Sequence, residues 1–120
     1  MMSRPDPGWE PFESDVAELF GLRRTITSGN RFFDPGDAVS SPDDPFPIYA
    51  EAKYTERISY SVKLKDLQNY RDQAATLGKH LILPLRFWPR GQYAPQDWAV
   101  VDLYDLHDLV TQARQRAHGI

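Results

Sequence analysis

The chain has 120 residues, of which 41% are hydrophobic and 26% charged, and its formal net charge is −3. This length and composition predict one soluble domain with a single hydrophobic core. The absence of cysteine excludes disulfides and thiolate metal sites. No apolar run approaches the roughly 20 residues of a membrane span, and the N-terminus does not have the pattern of a signal peptide. We therefore expect a cytoplasmic protein that does not contact the membrane.

The first half of the chain predicts one helix followed by three strands. Residues 1–8 hold two prolines and predict a loose arm ahead of a single domain over 9–120. Apolar residues then recur at helical spacing, with Pro11 in the first turn and Gly21 as the stop. The elements predicted here are a helix over 9–20 and strands over 22–27, 35–40 and 48–54.

The second half predicts a helix, two strands and a final helix. Ser61 is a candidate N-cap for the first of these helices, and Leu64, Leu67, Ala74, Ala75 and Leu77 form its predicted buried stripe. The nearly continuous apolar run over 79–88 is typical of a central strand, although Pro84 within it favours an edge or a bulge. A strand over 98–103 and a helix over 106–116 complete the chain. The predicted order, α-β-β-β-α-β-β-α, gives a mixed sheet with helices packed on it.

The strand over 48–54 carries the chemically most suggestive residues. Side chains two apart share one face of a strand, so Glu51 and Lys53 are predicted to point the same way. Asp37, on the preceding strand, offers a second carboxylate. Mg²⁺ prefers oxygen ligands and takes one or two carboxylates, which leaves room for water and a substrate phosphate. These residues predict a metal site with an adjoining lysine.

At these positions the chain resembles the PD-(D/E)xK nucleases. Asp37 fits the motif aspartate, and Glu51, Ala52 and Lys53 fit the (D/E)-x-K half. The order of predicted elements is that of the restriction-endonuclease-like core, and the likeness spans residues 9–104. Glu13 matches the position of a glutamate that related nucleases carry in their first helix. From the residues alone, Glu13 has another reading, a favourable interaction with the helix dipole.

The resemblance implies a catalytic arrangement and a substrate. Asp37, Glu51 and the backbone carbonyl of Ala52 would hold Mg²⁺, for which Mn²⁺ can substitute, and Glu13 would bind a second metal or place the first through water. Lys53 would orient water and offset negative charge at the phosphate. Within the superfamily, the small size is similar to that of the archaeal-type Holliday junction resolvases. This likeness implies cleavage of branched DNA by a homodimer.

Candidate contacts to the DNA backbone come from basic residues and one turn serine. Segment 53–71 has an excess of basic residues, which favours a phosphate backbone despite the acidic total. An ordinary solvated helix face is the alternative for this segment, and an ordinary turn residue is the alternative for the serine. The residues predicted to contact DNA are Arg24, Ser28, Arg31, Arg57 and Lys63.

Two other functions remain open from the sequence. A nicking, repair or restriction-like nuclease would use the same fold and the same residues. A noncatalytic domain that binds nucleic acid or protein would not need Asp37, Glu51 and Lys53 together, and their joint presence argues against it. The histidines do not have the spacing of a zinc site.

Overall fold

A computed structural model of the chain describes residues 8–24 and 38–119. Its helices are α1 (Trp9–Phe20), α2 (Leu64–Thr76) and α3 (Leu103–Ala117); its strands are β1 (Arg23–Arg24), β2 (Ala38–Val39), β3 (Ile48–Ala50), β4 (Lys53–Thr55), β5 (His80–Phe87) and β6 (Gln96–Val101). The predicted fold class is confirmed, because a central mixed sheet is flanked by helices. Among the described helices, none is long and apolar enough to cross a membrane.

Strand β5 is the centre of the sheet. It pairs in parallel with β3 and β4 along one side and antiparallel with β6 along the other. Strand β2 pairs antiparallel with β3, and β1 pairs antiparallel with β2. The predicted central position of this apolar strand is therefore confirmed, and it places the predicted catalytic strand directly beside the middle of the sheet.

The predicted strand over 48–54 is divided into β3 and β4, with Glu51 and Ala52 between them. Both parts keep one register along β5, because Ala50 pairs with Ile82 and Lys53 pairs with Leu85. That register puts Ala52 opposite Pro84. A proline has no N–H to donate to the neighbouring strand, so the interruption coincides with the missing donor. Pro84 thus lies in a central strand rather than at the predicted edge or bulge.

Helix α1 begins and ends where the sequence predicts. Its C-cap, Gly21, adopts a left-handed conformation with φ of 64°, which costs glycine little. The helix buries Phe12, Val16 and Ala17 against one face of the sheet, where they meet Ala38, Ala50, Ala52 and Ile82. This face holds the larger of the two clusters of buried apolar residues.

Helix α2 covers the opposite face of the sheet, and it departs from the prediction in two ways. Its N-cap is Lys63, without a side-chain cap, so the predicted Ser61 cap is wrong. Of the predicted buried stripe, Ala74 alone is buried within α2; it packs with Val39 and Tyr49. The leucines were expected inside from their spacing alone, but this spacing does not determine whether a neighbouring element covers them.

The end of the chain also differs from the prediction. Asp102 is the N-cap of α3 and accepts hydrogen bonds from the backbone N–H groups of Tyr104 and Asp105, whereas the sequence placed it inside a strand. The helix begins at Leu103, three residues before the predicted start, because this cap satisfies its first donors. Helix α3 has no buried residue among its described positions. Its apolar side chains therefore lie on the surface of the single chain.

Candidate active site

Glu51 and Lys53 lie on the face of the sheet that α2 covers. Tyr49, two residues before Glu51, packs against α2. The ammonium of Lys53, two residues after Glu51, lies over the ring of Tyr70 on α2. The Lys53 Nζ atom is 3.9 Å from the Oε2 atom of Glu51. The predicted common face is therefore confirmed. Because 3.9 Å exceeds hydrogen-bond length, the two charges attract without fixing each other's geometry.

Both side chains of this pair are partly shielded from solvent. The Glu51 side chain is 13% exposed and that of Lys53 is 28% exposed. Charges in such an environment interact more strongly than charges in water, yet the site stays open enough for a solvent molecule or a ligand. This combination is suited to chemistry on an anionic group.

The pKa of Lys53 lies above its ordinary value. Burial is the largest influence and by itself lowers the pKa; hydrogen bonding and charge interaction with Tyr70 oppose it, and Glu51 and Tyr60 add to the rise. Because the favourable interactions exceed the desolvation cost, Lys53 carries a positive charge at neutral pH. A charged lysine here can neutralise a phosphate oxygen.

The backbone N–H and C=O groups of successive residues around Glu51 point toward different neighbouring strands. The Glu51 N–H donates to the carbonyl of Ile82 at 3.0 Å, while Ala50 pairs with Ala38 on the other side. Backbone groups alternate in direction along a strand, so those of Ala52 face the side of β2. Ala38 is the residue directly after Asp37, which itself lies outside the described residues.

Glu13 is buried on α1, which covers the opposite face of the sheet from Glu51. Its Oε2 atom lies 2.8 Å from an Arg24 guanidinium nitrogen, and the Glu13 side chain is 8% exposed. Arg24 also donates to the Ser14 hydroxyl. This pair ties α1 to β1, so Glu13 is held in a defined position, and its role at a metal stays a prediction.

The predicted DNA contacts fall into three groups. Arg57 and Lys63 are exposed in and just after the loop that follows β4. Arg24 is partly exposed and is paired with Glu13. Ser28 and Arg31 lie outside the described residues. Arg57 and Lys63 belong to the segment that connects β4, which begins at Lys53, to α2.

Mg²⁺ at this site stays a prediction. No group of three or more His, Cys, Asp or Glu side chains in ranges 8–24 and 38–119 is placed to hold a metal ion. Mg²⁺ needs no such cage, since one or two carboxylates together with water and substrate phosphate are enough. Glu51 supplies one such carboxylate within the described ranges.

A second charged group lies on the α1 face of the sheet, and the sequence analysis did not predict it. Arg86 donates from Nε and one terminal nitrogen to both carboxylate oxygens of Asp97, and from the other terminal nitrogen to Asp15, at distances of 2.8–2.9 Å. Its guanidinium also lies 4.5 Å from the ring centre of Phe12. The signal available in the sequence was the charge of Arg86 near the end of the apolar run 79–88, whose other charged residue, Lys79, is its first.

Comparison with known proteins gives one structural likeness to report. No family model matches the chain, and no curated protein matches it. Among solved structures, the chain is similar to Hjc from Archaeoglobus fulgidus, a Holliday junction resolvase from an archaeal hyperthermophile. The two share 16% sequence identity over 78% of this chain and 88% of that one, with a TM-score of 0.47.

Proposed function

We propose that this protein is a metal-dependent endonuclease that hydrolyses DNA phosphodiester bonds, acting on branched DNA. The observation that carries the proposal is the Glu51 and Lys53 pair, with Nζ and Oε2 separated by 3.9 Å on one face of the sheet. A carboxylate and an ammonium side by side suit a reaction at an anionic phosphate, where one group binds a cation and the other offsets charge.

Lys53 contributes electrostatic stabilisation at the reacting phosphate. Negative charge on the phosphate oxygens repels an incoming water or hydroxide, so hydrolysis requires a fixed positive charge nearby. The partial burial of the Lys53 side chain strengthens that effect, because fewer waters screen the ammonium. The same ammonium would donate a hydrogen bond to a water whose remaining lone pair attacks the phosphorus; one ester P–O bond breaks, the attacking water gives a proton to solvent, and the leaving oxygen takes one up from solvent.

Asp37, Glu51 and the Ala52 carbonyl would hold Mg²⁺ or Mn²⁺. When bound, the ion supplies charge stabilisation at the phosphate and makes a water more acidic. One observation supports this assignment. Ala38, which directly follows Asp37 in the sequence, pairs with Ala50, the residue before Glu51.

Exposed basic side chains beside the site would hold the DNA backbone. Arg57 and Lys63 lie between β4 and α2, on the segment that directly follows Lys53 and Tyr54. Arg24, Ser28 and Arg31 are the remaining proposed contacts. Contacts to phosphate position the duplex without reading its sequence, which fits an enzyme that selects a DNA shape.

A homodimer would give two sites for the opposing strands of a junction. The single chain exposes several apolar side chains on β6 and α3, including Trp98 at 64% and Leu103 at 71%. Within the described ranges, β6 pairs with β5 alone. Large exposed apolar patches mark interaction sites, and a dimer interface over β6 and α3 would cover these side chains. Sedimentation velocity tests this part of the proposal directly: a dimer mass supports it, and a monomer mass at the working concentration overturns it.

The deciding experiment is incubation with Mg²⁺ and a panel of branched, flapped, linear duplex and single-stranded DNAs. Cleavage of junctions above the linear substrates is the expected result. The matched control is Asp37→Asn, which should cut nothing while binding DNA at least as tightly, since a negative charge that faces phosphate has been removed. Preferential cutting of flaps or linear duplex would replace the branched-DNA assignment with another nuclease of this fold. DNA binding without cleavage in either Mg²⁺ or Mn²⁺ would indicate a noncatalytic binding domain.

A further inference from the structure

Lys53 needs a second contact if its ammonium is to act at a defined point. Its flexible stem has four carbons, and a lysine gives up about 2 kcal/mol of rotamer entropy when it is immobilised. The Glu51 carboxylate, at 3.9 Å, is beyond hydrogen-bond length and leaves the ammonium free to shift. Lys53 also contacts an aromatic side chain on α2.

That group is Tyr70. The Nζ atom of Lys53 lies 5.0 Å from the centre of the Tyr70 ring, within the reach of a cation–π interaction. The Tyr70 side chain is half-buried, so its ring has a defined place beside the ammonium. Tyrosine has two side-chain torsions and so can supply a rigid surface at low entropic cost.

The position of Tyr70 is itself fixed by its helix. Residues three and four apart share a helix face, so Tyr70 lies on the same face as Gln73 and Ala74. Ala74 is fully buried, and Gln73 accepts a hydrogen bond of 2.6 Å from the hydroxyl of Tyr49 on β3. These two contacts hold the face of α2 that carries Tyr70 against the strand that leads to Glu51 and Lys53.

We infer that Tyr70 is a positioning residue, which fixes the ammonium of Lys53 in the candidate site; this inference rests on the proposed nuclease function. Tyr70 acts through Lys53 and does not touch the reacting phosphate. Two substitutions separate the part played by the ring, which contacts the ammonium, from any part played by the hydroxyl. Tyr70→Phe keeps the ring and removes the hydroxyl, and Tyr70→Leu removes both.

Tyr49→Phe provides the matched control for a merely structural effect. This substitution removes the hydrogen bond to Gln73 while Ala74 still packs the same face of α2 against the sheet, and it does not remove a group that contacts Lys53. If Tyr70 acted only by docking the helix, Tyr49→Phe would reproduce the effects of the Tyr70 variants. If Tyr70 positions Lys53, the effects of the two sets differ.

The test has one arm that does not depend on cleavage. Lysines are labelled by reductive ¹³C-methylation, and Lys53→Arg assigns the Lys53 signal. The ring of Tyr70 shifts this signal away from those of exposed lysines. We expect Tyr70→Leu to move the signal to the exposed-lysine position and Tyr49→Phe to leave it in place. A Lys53 signal that is identical in wild type and Tyr70→Leu overturns the inference.

The second arm measures single-turnover cleavage and junction affinity. Misplacement of a catalytic group by about 1 Å costs roughly a hundredfold. We therefore expect Tyr70→Leu to lower the rate about a hundredfold and Tyr70→Phe about tenfold, with the Kd for DNA unchanged in both. Wild-type rates in both variants, or an equal loss in Tyr49→Phe, overturn the positioning role. If the wild type cleaves no DNA, the proposed function fails while the ¹³C signal still decides whether Tyr70 holds Lys53.

Discussion

Two charged groups lie on opposite faces of the same sheet and differ in how closely their charges are satisfied. On the α1 face, Arg86 makes hydrogen bonds of 2.8–2.9 Å to Asp97 and Asp15, and its side chain is 5% exposed. On the α2 face, Lys53 and Glu51 stand 3.9 Å apart, and the lysine side chain is 28% exposed. Arg86 pairs with Tyr54 across the ladder, one position from Lys53.

The difference distinguishes a structural network from a site prepared for a ligand. The Nε and both terminal nitrogens of Arg86 donate hydrogen bonds to two carboxylates. The hydrogen bonds to Asp97 contribute most to raising the pKa of Arg86. A group satisfied in this way has little capacity for a further partner. The Lys53 and Glu51 pair is longer, and the Lys53 side chain is more exposed than that of Arg86, so the ammonium can exchange part of its interaction for a phosphate.

The largest expected effect is on catalysis, at the Lys53 and Glu51 pair. Lys53→Met keeps the aliphatic stem but loses the ammonium, and removal of one preorganised electrostatic group costs about 10²–10³ in rate. We expect single-turnover cleavage to fall by that factor with little change in junction affinity, because a transition-state interaction appears in the rate. A variant with weakened binding and normal cleavage of bound DNA would make Lys53 an ordinary phosphate contact.

The next effect is on the free energy of unfolding, at the network of Arg86, Asp97 and Asp15. Asp97→Ala removes the two hydrogen bonds that the buried Arg86 donates to Asp97, and because the Asp97 side chain is 46% exposed and Asp15 remains, the loss should be about 2 kcal/mol, as for hydrogen bonds to charged groups. The free energy of unfolding in urea measures it. Glu51→Gln serves as the comparison and should cost under about 1 kcal/mol, as partly exposed pairs do. Equal losses at the two positions would contradict the division into a structural and a functional group.

The smallest effect is on the salt dependence of DNA binding, which tests which face DNA approaches. Each phosphate contact contributes a slope of about −0.9 to log affinity against log salt. The double variant Arg57→Ala with Lys63→Ala should therefore reduce the slope by about 2. Arg114→Ala with Arg116→Ala removes the same charge from the last turn of α3 and should leave the slope unchanged. A reduced slope in the α3 variant, with an unchanged slope in the Arg57 and Lys63 variant, would place the DNA at α3. A reduced slope in Arg23→Ala alone would place the DNA along β1.

The sequence by itself determined the features that depend on local spacing. Helix α1 ends at Phe20 because glycine follows and adopts a left-handed conformation there. Glu51 and Lys53 share a face because side chains alternate along an extended chain, and this holds even across the interruption between β3 and β4. The order of helices and strands follows from the same periodicities, and with it the fold class.

Only the tertiary structure decided which charges meet and which surfaces are covered. Asp15 and Arg86 are separated by 71 positions along the chain, and nothing in either local sequence specifies their contact. The break at Glu51 and Ala52 depends on a proline in a neighbouring strand, and the link between Tyr70 and Lys53 depends on how α2 docks. Local periodicity sets the direction of a side chain relative to its own element, whereas its partner is set by the packing of elements distant in the chain.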